Sequence, residues 1–98
     1  MLLAHAVTLA EARSYVAALA DSARTFDASV EYEHVLLALD TIHGGDVPPT
    51  TEVLTDKSDV LYTVAEAAIE ELVDHGADAL QVELILARLE DARALDRP

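Results

Sequence analysis

The residues that break helices are few in this chain and closely grouped. Its three glycines and three prolines fall at Gly44, Gly45, Pro48, Pro49, Gly76 and the terminal Pro98. The stretches between them are long, and in them apolar residues recur at intervals of three and four, the period of one helix face. Glycine and proline are the residues a helix interior tolerates least, while Ala and Leu, abundant here, favour it most. With 52% of residues apolar and only 4% aromatic, the pattern predicts an all-α fold rather than a disordered acidic chain. The expected architecture is a small four-helix bundle of two antiparallel helical hairpins in a single domain, 1–98. Its helices are expected over about 8–24, 30–43, 58–75 and 78–95, with a linker at 44–57.

Each helix carries its own signals. Thr8 stands three residues before Glu11, the spacing of a capping box, and Leu9, Ala12, Val16, Leu19, Ala20 and Ala23 follow as a stripe. Ser29 is the expected N-cap of the second helix, whose stripe is Tyr32, Val35, Leu36, Leu39 and Ile42. His43 and Gly44 are placed to end it. In the linker, one turn is allowed over Thr50–Leu54, and Val53 and Leu54 are expected to pin the segment to the bundle. Ser58 or Asp56 caps the third helix, which stops at His75 before Gly76. Asp78 caps the fourth, whose stripe is Val82, Ile85, Leu86, Leu89 and Ala92, extended by Leu80 and Leu84. Only Gly76 and Ala77 separate the last two helices, so a tight antiparallel pair is expected there. A shift of fifty residues also places Glu33 on Glu83, Val35-Leu36 on Ile85-Leu86 and Leu39-Asp40 on Leu89-Glu90, as two hairpins of one design would.

Charge limits the partners. Nineteen acidic against six basic residues leave a net charge of −13, which repels nucleic acid and anionic membrane alike. A helix-turn-helix reading of Gly76 and its flanking helices fails on sign: a recognition helix running from Asp78 through Glu83 meets phosphates with carboxylates. No apolar run approaches the ~20 residues of a membrane span. Met1–Val7 carries no basic region, so the expected location is cytoplasmic. Cysteine is absent, which removes disulfides and thiolate metal sites. The same acidity also suits a protein kept hydrated in concentrated salt.

No residue set announces catalysis, and no cofactor is expected. The nearest metal motif is Glu31-x-x-His34, the spacing at which a Glu and a His on one helix ligate together in carboxylate-bridged bundles. It lies off the apolar stripe, and the matching positions, Gln81 and Leu84, cannot complete it. Asp40 and His43 repeat the spacing on another face. His43 and His75 each precede a glycine at a helix end, where they complement the helix dipole. The serines lack an elbow motif, and Gly44-Gly45 follows a helix where a phosphate-binding loop precedes one.

The segment Glu31-Tyr32-Glu33-His34-Val35-Leu36-Leu37-Ala38-Leu39 resembles the Glu-His-Leu-Leu-Leu-Ala-Leu stretch in the N-terminal domains of Clp chaperones. Those domains are duplicated helical motifs, and the resemblance implies that arrangement here. It covers nine residues, and the remainder of the chain does not follow it.

The functional expectation is therefore a non-catalytic protein-interaction module, self-associating as a homodimer or binding a partner helix. The third and fourth helices carry more apolar circumference than one core needs. Tyr62, Ile69, Leu80, Leu84 or Met1–Val7 are expected at the contact. An alternative makes the charge the function: an acidic mimic or antitoxin-like neutraliser of a basic protein, presenting Glu66, Glu70 and Asp74 as a regular row. A carboxylate/His metal-binding bundle is the third reading.

Overall fold

A computed structural model describes residues 3–42 and 50–96, with side chains from His5 onward. The described residues hold four α-helices: α1, Leu3–Ser22; α2, Phe26–Ile42; α3, Ser58–Glu71, prolonged by a 3-10 turn at Leu72–His75; and α4, Ala79–Leu95. Among the described residues there is no strand. The fold is an all-α bundle.

α1 begins at Leu3, upstream of Thr8, because Leu3, Ala4 and Ala6 are helix formers that continue the helix through the expected cap. Thr8 is therefore an interior, buried residue, its Oγ1 3.4 Å from His75 Nε2. α2 begins earlier than Ser29 as well. Thr25 is the cap: its Oγ1 accepts from the Ala28 N–H at 3.1 Å. Ser29 instead donates to the Ala20 carbonyl at 3.0 Å, joining α2 to α1. α3 starts after Lys57, with no side-chain cap. α4 starts as expected, the Asp78 carboxylate accepting from the Leu80 N–H at 3.3 Å.

α1 lies against both α2 and α3, and α4 closes the bundle against α2 and, over a shorter stretch, against α3. Leu9, Val16, Leu19, Tyr32, Val35, Leu39, Leu61, Ile69, Leu72, Val82, Ile85 and Leu89 fill the space between them, each almost wholly removed from water. The fifty-residue correspondence holds at the level of burial in α2 and α4. Tyr32, Val35 and Leu39 are core residues, and so are Val82, Ile85 and Leu89.

Polar contacts tie the ends. The Arg24 N–H donates to Asp96 Oδ1 at 2.6 Å and the Thr25 hydroxyl to the Leu95 carbonyl at 2.8 Å, seating the α1–α2 turn on the end of α4. Residues 50–57 run beside α1 without forming a helical turn. Ser14 fixes them there: its hydroxyl donates to the Ala10 carbonyl at 2.7 Å and accepts from the Thr51 N–H at 2.9 Å. Val53 packs on the core, but Leu54 is 98% exposed and pins nothing. His43, Gly44, Gly45, Pro48 and Pro49 lie outside the described residues.

Candidate interaction surface

The four apolar residues expected at a contact separate into two classes. Tyr62 and Ile69 are 6% and 0% exposed and belong to the chain's own core, so the expectation that they meet a partner is corrected. α1 covers one flank of the broad apolar arc of α3 and α4 the other, which leaves neither residue open. Arg93 completes the cover of Tyr62, its guanidinium 4.5 Å above the ring centre and 3.9 Å from Asp59. Leu80 and Leu84 are different: each is 63% exposed, on the outer face of α4. From the Met1–Val7 stretch, Val7 is exposed and His5 buried; Met1 and Leu2 lie outside the described residues.

Why α4 has an oily exterior follows from its sequence. Val82, Ile85, Leu89 and Ala92 point inward. Leu80, Leu84 and Ala87 sit half a turn away from them, so no rotation of the helix can bury both sets. Beside Leu84, α4 and α2 enclose an open groove of about 610 Å³ whose apolar walls include Ala38, Ile42, Leu84 and Ile85. Its polar margin holds Glu31, Arg88 and Asp91. Arg88 Nη1 lies 3.6 Å from Glu31 Oε1, an ion pair that bridges the two helices.

The α2 side of this groove was not legible in the sequence. Ala38 and Ile42 flank the α2 stripe, but nothing in the spacing says that α4, rather than α3, is the neighbour they meet. The one signal in the sequence is the opposite charge of Glu31 and Arg88, each off the apolar stripe of its helix.

The acidic row remains at the surface, with Glu70 and Asp74 exposed and Glu66 partly covered by its neighbours. Its geometry is less regular than an unbroken helix implies, because the α-helix gives way to a 3-10 turn before Asp74.

Among the described residues, the titratable groups elsewhere make local pairs. Glu31 Oε2 is 3.5 Å from His34 Nδ1, but Glu31 also serves Arg88. Asp40 is held by Arg13 Nε at 2.9 Å. Among the described residues no three His, Asp or Glu side chains gather as a metal site. Burial, and after it the charge of Asp96, pushes the Tyr32 phenol up to about 12. Burial raises Tyr62 as well, with Glu66 next. Both phenols stay protonated at neutral pH. His5 is a buried residue that sequence spacing did not interpret; its ring meets that of His75 edge-on, centroids 6.0 Å apart, at the end of α3.

No protein-family model matches this chain, and no curated protein or solved structure matches it either. Among the described residues, no helix is long and apolar enough to cross a membrane.

Proposed function

We propose that the chain is a non-catalytic protein-interaction module that docks another helix on the outer face of α4 and in the groove between α4 and α2. One observation carries the reading: Leu80 and Leu84 stand 63% exposed beside a groove already walled by apolar side chains. Removing a leucine from water is worth roughly 1.5–3 kcal/mol when complete. Covering this pair therefore gains a few kcal/mol, a sizeable amount beside the ~5–15 kcal/mol that holds a typical domain together. The nearest His–Glu pair is at the surface, and both buried phenols keep their protons at neutral pH.

Self-association through the same face has its own support. Glu83 and Arg88 border the stripe on opposite sides, five residues apart, the separation at which two parallel helices pair such residues across a dimer seam, although Arg88 would have to leave or share Glu31 to do so. The acidic neutraliser is the reading from another class, and it uses the α3 row instead.

Photocrosslinking separates them. A benzoylphenylalanine placed at position 84 in the native host is expected to yield a discrete adduct, and the same group at position 70 none. An adduct with the mass of two chains identifies self-association. Adducts from position 70 alone would shift the function to the acidic row, and none from position 84 would end the docking reading.

A further inference from the structure

The stripe that α4 turns outward is apolar except at one step. Leu80, Leu84, Ala87, Asp91 and Ala94 succeed one another at alternating intervals of four and three, and all are exposed. That is the spacing of a single helix seam. Asp91 therefore places a carboxylate in the line where a partner's side chains must lie. Covered by an apolar or acidic group, it would lose its water with nothing in exchange.

The borders of the seam carry the same sign. Glu83 and Glu90, both exposed, follow its edge on the side away from α2. On the α2 side stands Arg88, but Glu31 already neutralises it at 3.6 Å. The uncompensated charge of this face is thus negative on the seam and along one border. An isologous contact presents the same patch twice. A second copy would bring a second set of these acids, added to a net charge of −13 on each chain.

Resting on the docking reading above, we infer that the occupant is an amphipathic helix of a different protein, apolar along one stripe and rich in Lys and Arg beside it. Its apolar residues lie along Leu80, Leu84 and Ala87. One large side chain enters the groove toward Ala38 and Ile42, where about 610 Å³ is open to receive it. A cation stands over Asp91, and others face Glu83 and Glu90. Ala87, the smallest side chain at the middle of the seam, lets the two backbones come close there. Complementary charge at the border speeds encounter and rejects acidic competitors, while the apolar stripe holds the complex.

Two synthetic helical peptides of about 18 residues, roughly five turns, test this. Both carry one leucine stripe; Lys and Arg flank it in the first and Glu in the second. A peptide of the first composition with its order scrambled is the control for diffuse attraction. Backbone amide shifts of the protein are followed during titration. The basic peptide is expected to shift α4 and the Ala38–Ile42 end of α2, and to bind at least tenfold more tightly than the other two. Leu84→Ser should weaken it roughly tenfold, as loss of a central anchor does. Asp91→Asn should weaken it about fivefold, the upper range for an exposed charge pair. Glu70→Gln, on α3, should leave it unchanged. Both Leu84 and Asp91 are exposed, so these variants retain the core.

Equal binding of the acidic and basic peptides at α4 would overturn the charge inference and leave the docking face intact. Shifts confined to Glu66, Glu70 and Asp74, or equal binding of the scrambled peptide, would overturn it as diffuse attraction. A protein already dimeric through Leu84, and closed to both peptides, would make the occupant a second copy. If no α4 amide moves with any peptide and the chain is monomeric, the docking face itself fails.

Discussion

The Thr25 hydroxyl works in two directions. It accepts from the Ala28 N–H at 3.1 Å, which satisfies one of the orphan donors at the start of α2, and it donates to the Leu95 carbonyl at 2.8 Å, beyond the reach of the helix's own donors at the end of α4. Thr25→Ala should remove both and cost about 1–2 kcal/mol, the range for a lost cap. Thr25→Ser should keep most of that stability. Urea unfolding of the three proteins measures it, and equal losses from Ala and Ser would deny the hydroxyl its role. At this scale the sequence was only partly legible. Ser29 and Thr25 are both good caps by residue type, and Phe26 between them is 80% exposed, so the apolar stripe offers no help in choosing. What decides is a partner seventy positions away in the chain, the end of α4. Thr8 misled for a related reason: its spacing to Glu11 is that of a capping box, but the helix formers before it carry α1 straight through.

At the scale of the element, Gly76 shows where local signals suffice. It adopts φ 98°, its N–H bonds the Val73 carbonyl at 3.1 Å, and the Ala77 N–H bonds the Leu72 carbonyl at 3.0 Å. Together these close the end of α3 in a Schellman motif. A Cβ added at Gly76 would meet nothing within 4 Å, so a substitution there strains only the backbone. Gly76→Ala is expected to cost about 1–2 kcal/mol, which lowers the melting temperature of a domain this size by roughly 4–15 °C. Gly76→Asn should cost less, since Asn enters this conformation more readily. If Ala were neutral and Asn destabilising, the turn would be limited by something other than its dihedral angle. The ends of α3 and α4 were legible because Gly76 and Asp78 act within a few residues of themselves. The covering of their faces was not. α3 and α4 each have a broad apolar arc, and periodicity treats Tyr62, Ile69, Leu80 and Leu84 alike. Only the packing of α1 and α4 around α3, with α4's outer face left uncovered, divides the buried pair from the exposed one.

For the molecule as a whole, the controlling quantity is a net charge of −13 on a body with a radius of gyration of 12.3 Å. At 0.1 M salt the screening length is about 10 Å, so most carboxylates feel others across the surface; at 1 M it is about 3 Å and only neighbours interact. The ion pairs of Arg88 and Arg93, at 3.6 and 3.9 Å and half exposed, lose little by comparison, because surface pairs contribute at most ~1 kcal/mol each. Self-repulsion acts over the whole surface and opposes the folded state, against those two pairs and the closer, more covered Arg13–Asp40 pair at 2.9 Å. The melting temperature should rise by about 5 °C or more between 0.1 and 1 M potassium chloride, equivalent to roughly 1 kcal/mol for a chain of this length. A flat or falling curve would mean that the acids stand far enough apart in the bundle for repulsion not to matter. The same titration bears on the partner. Docking of a cationic helix weakens as its attraction to Asp91, Glu83 and Glu90 is screened, while the core grows firmer. Pairing of two acidic copies strengthens along with folding, since both suffer from the same repulsion. Stability and binding that move in opposite directions across one salt series thus point to a basic partner, and movement together points to a second copy of this chain.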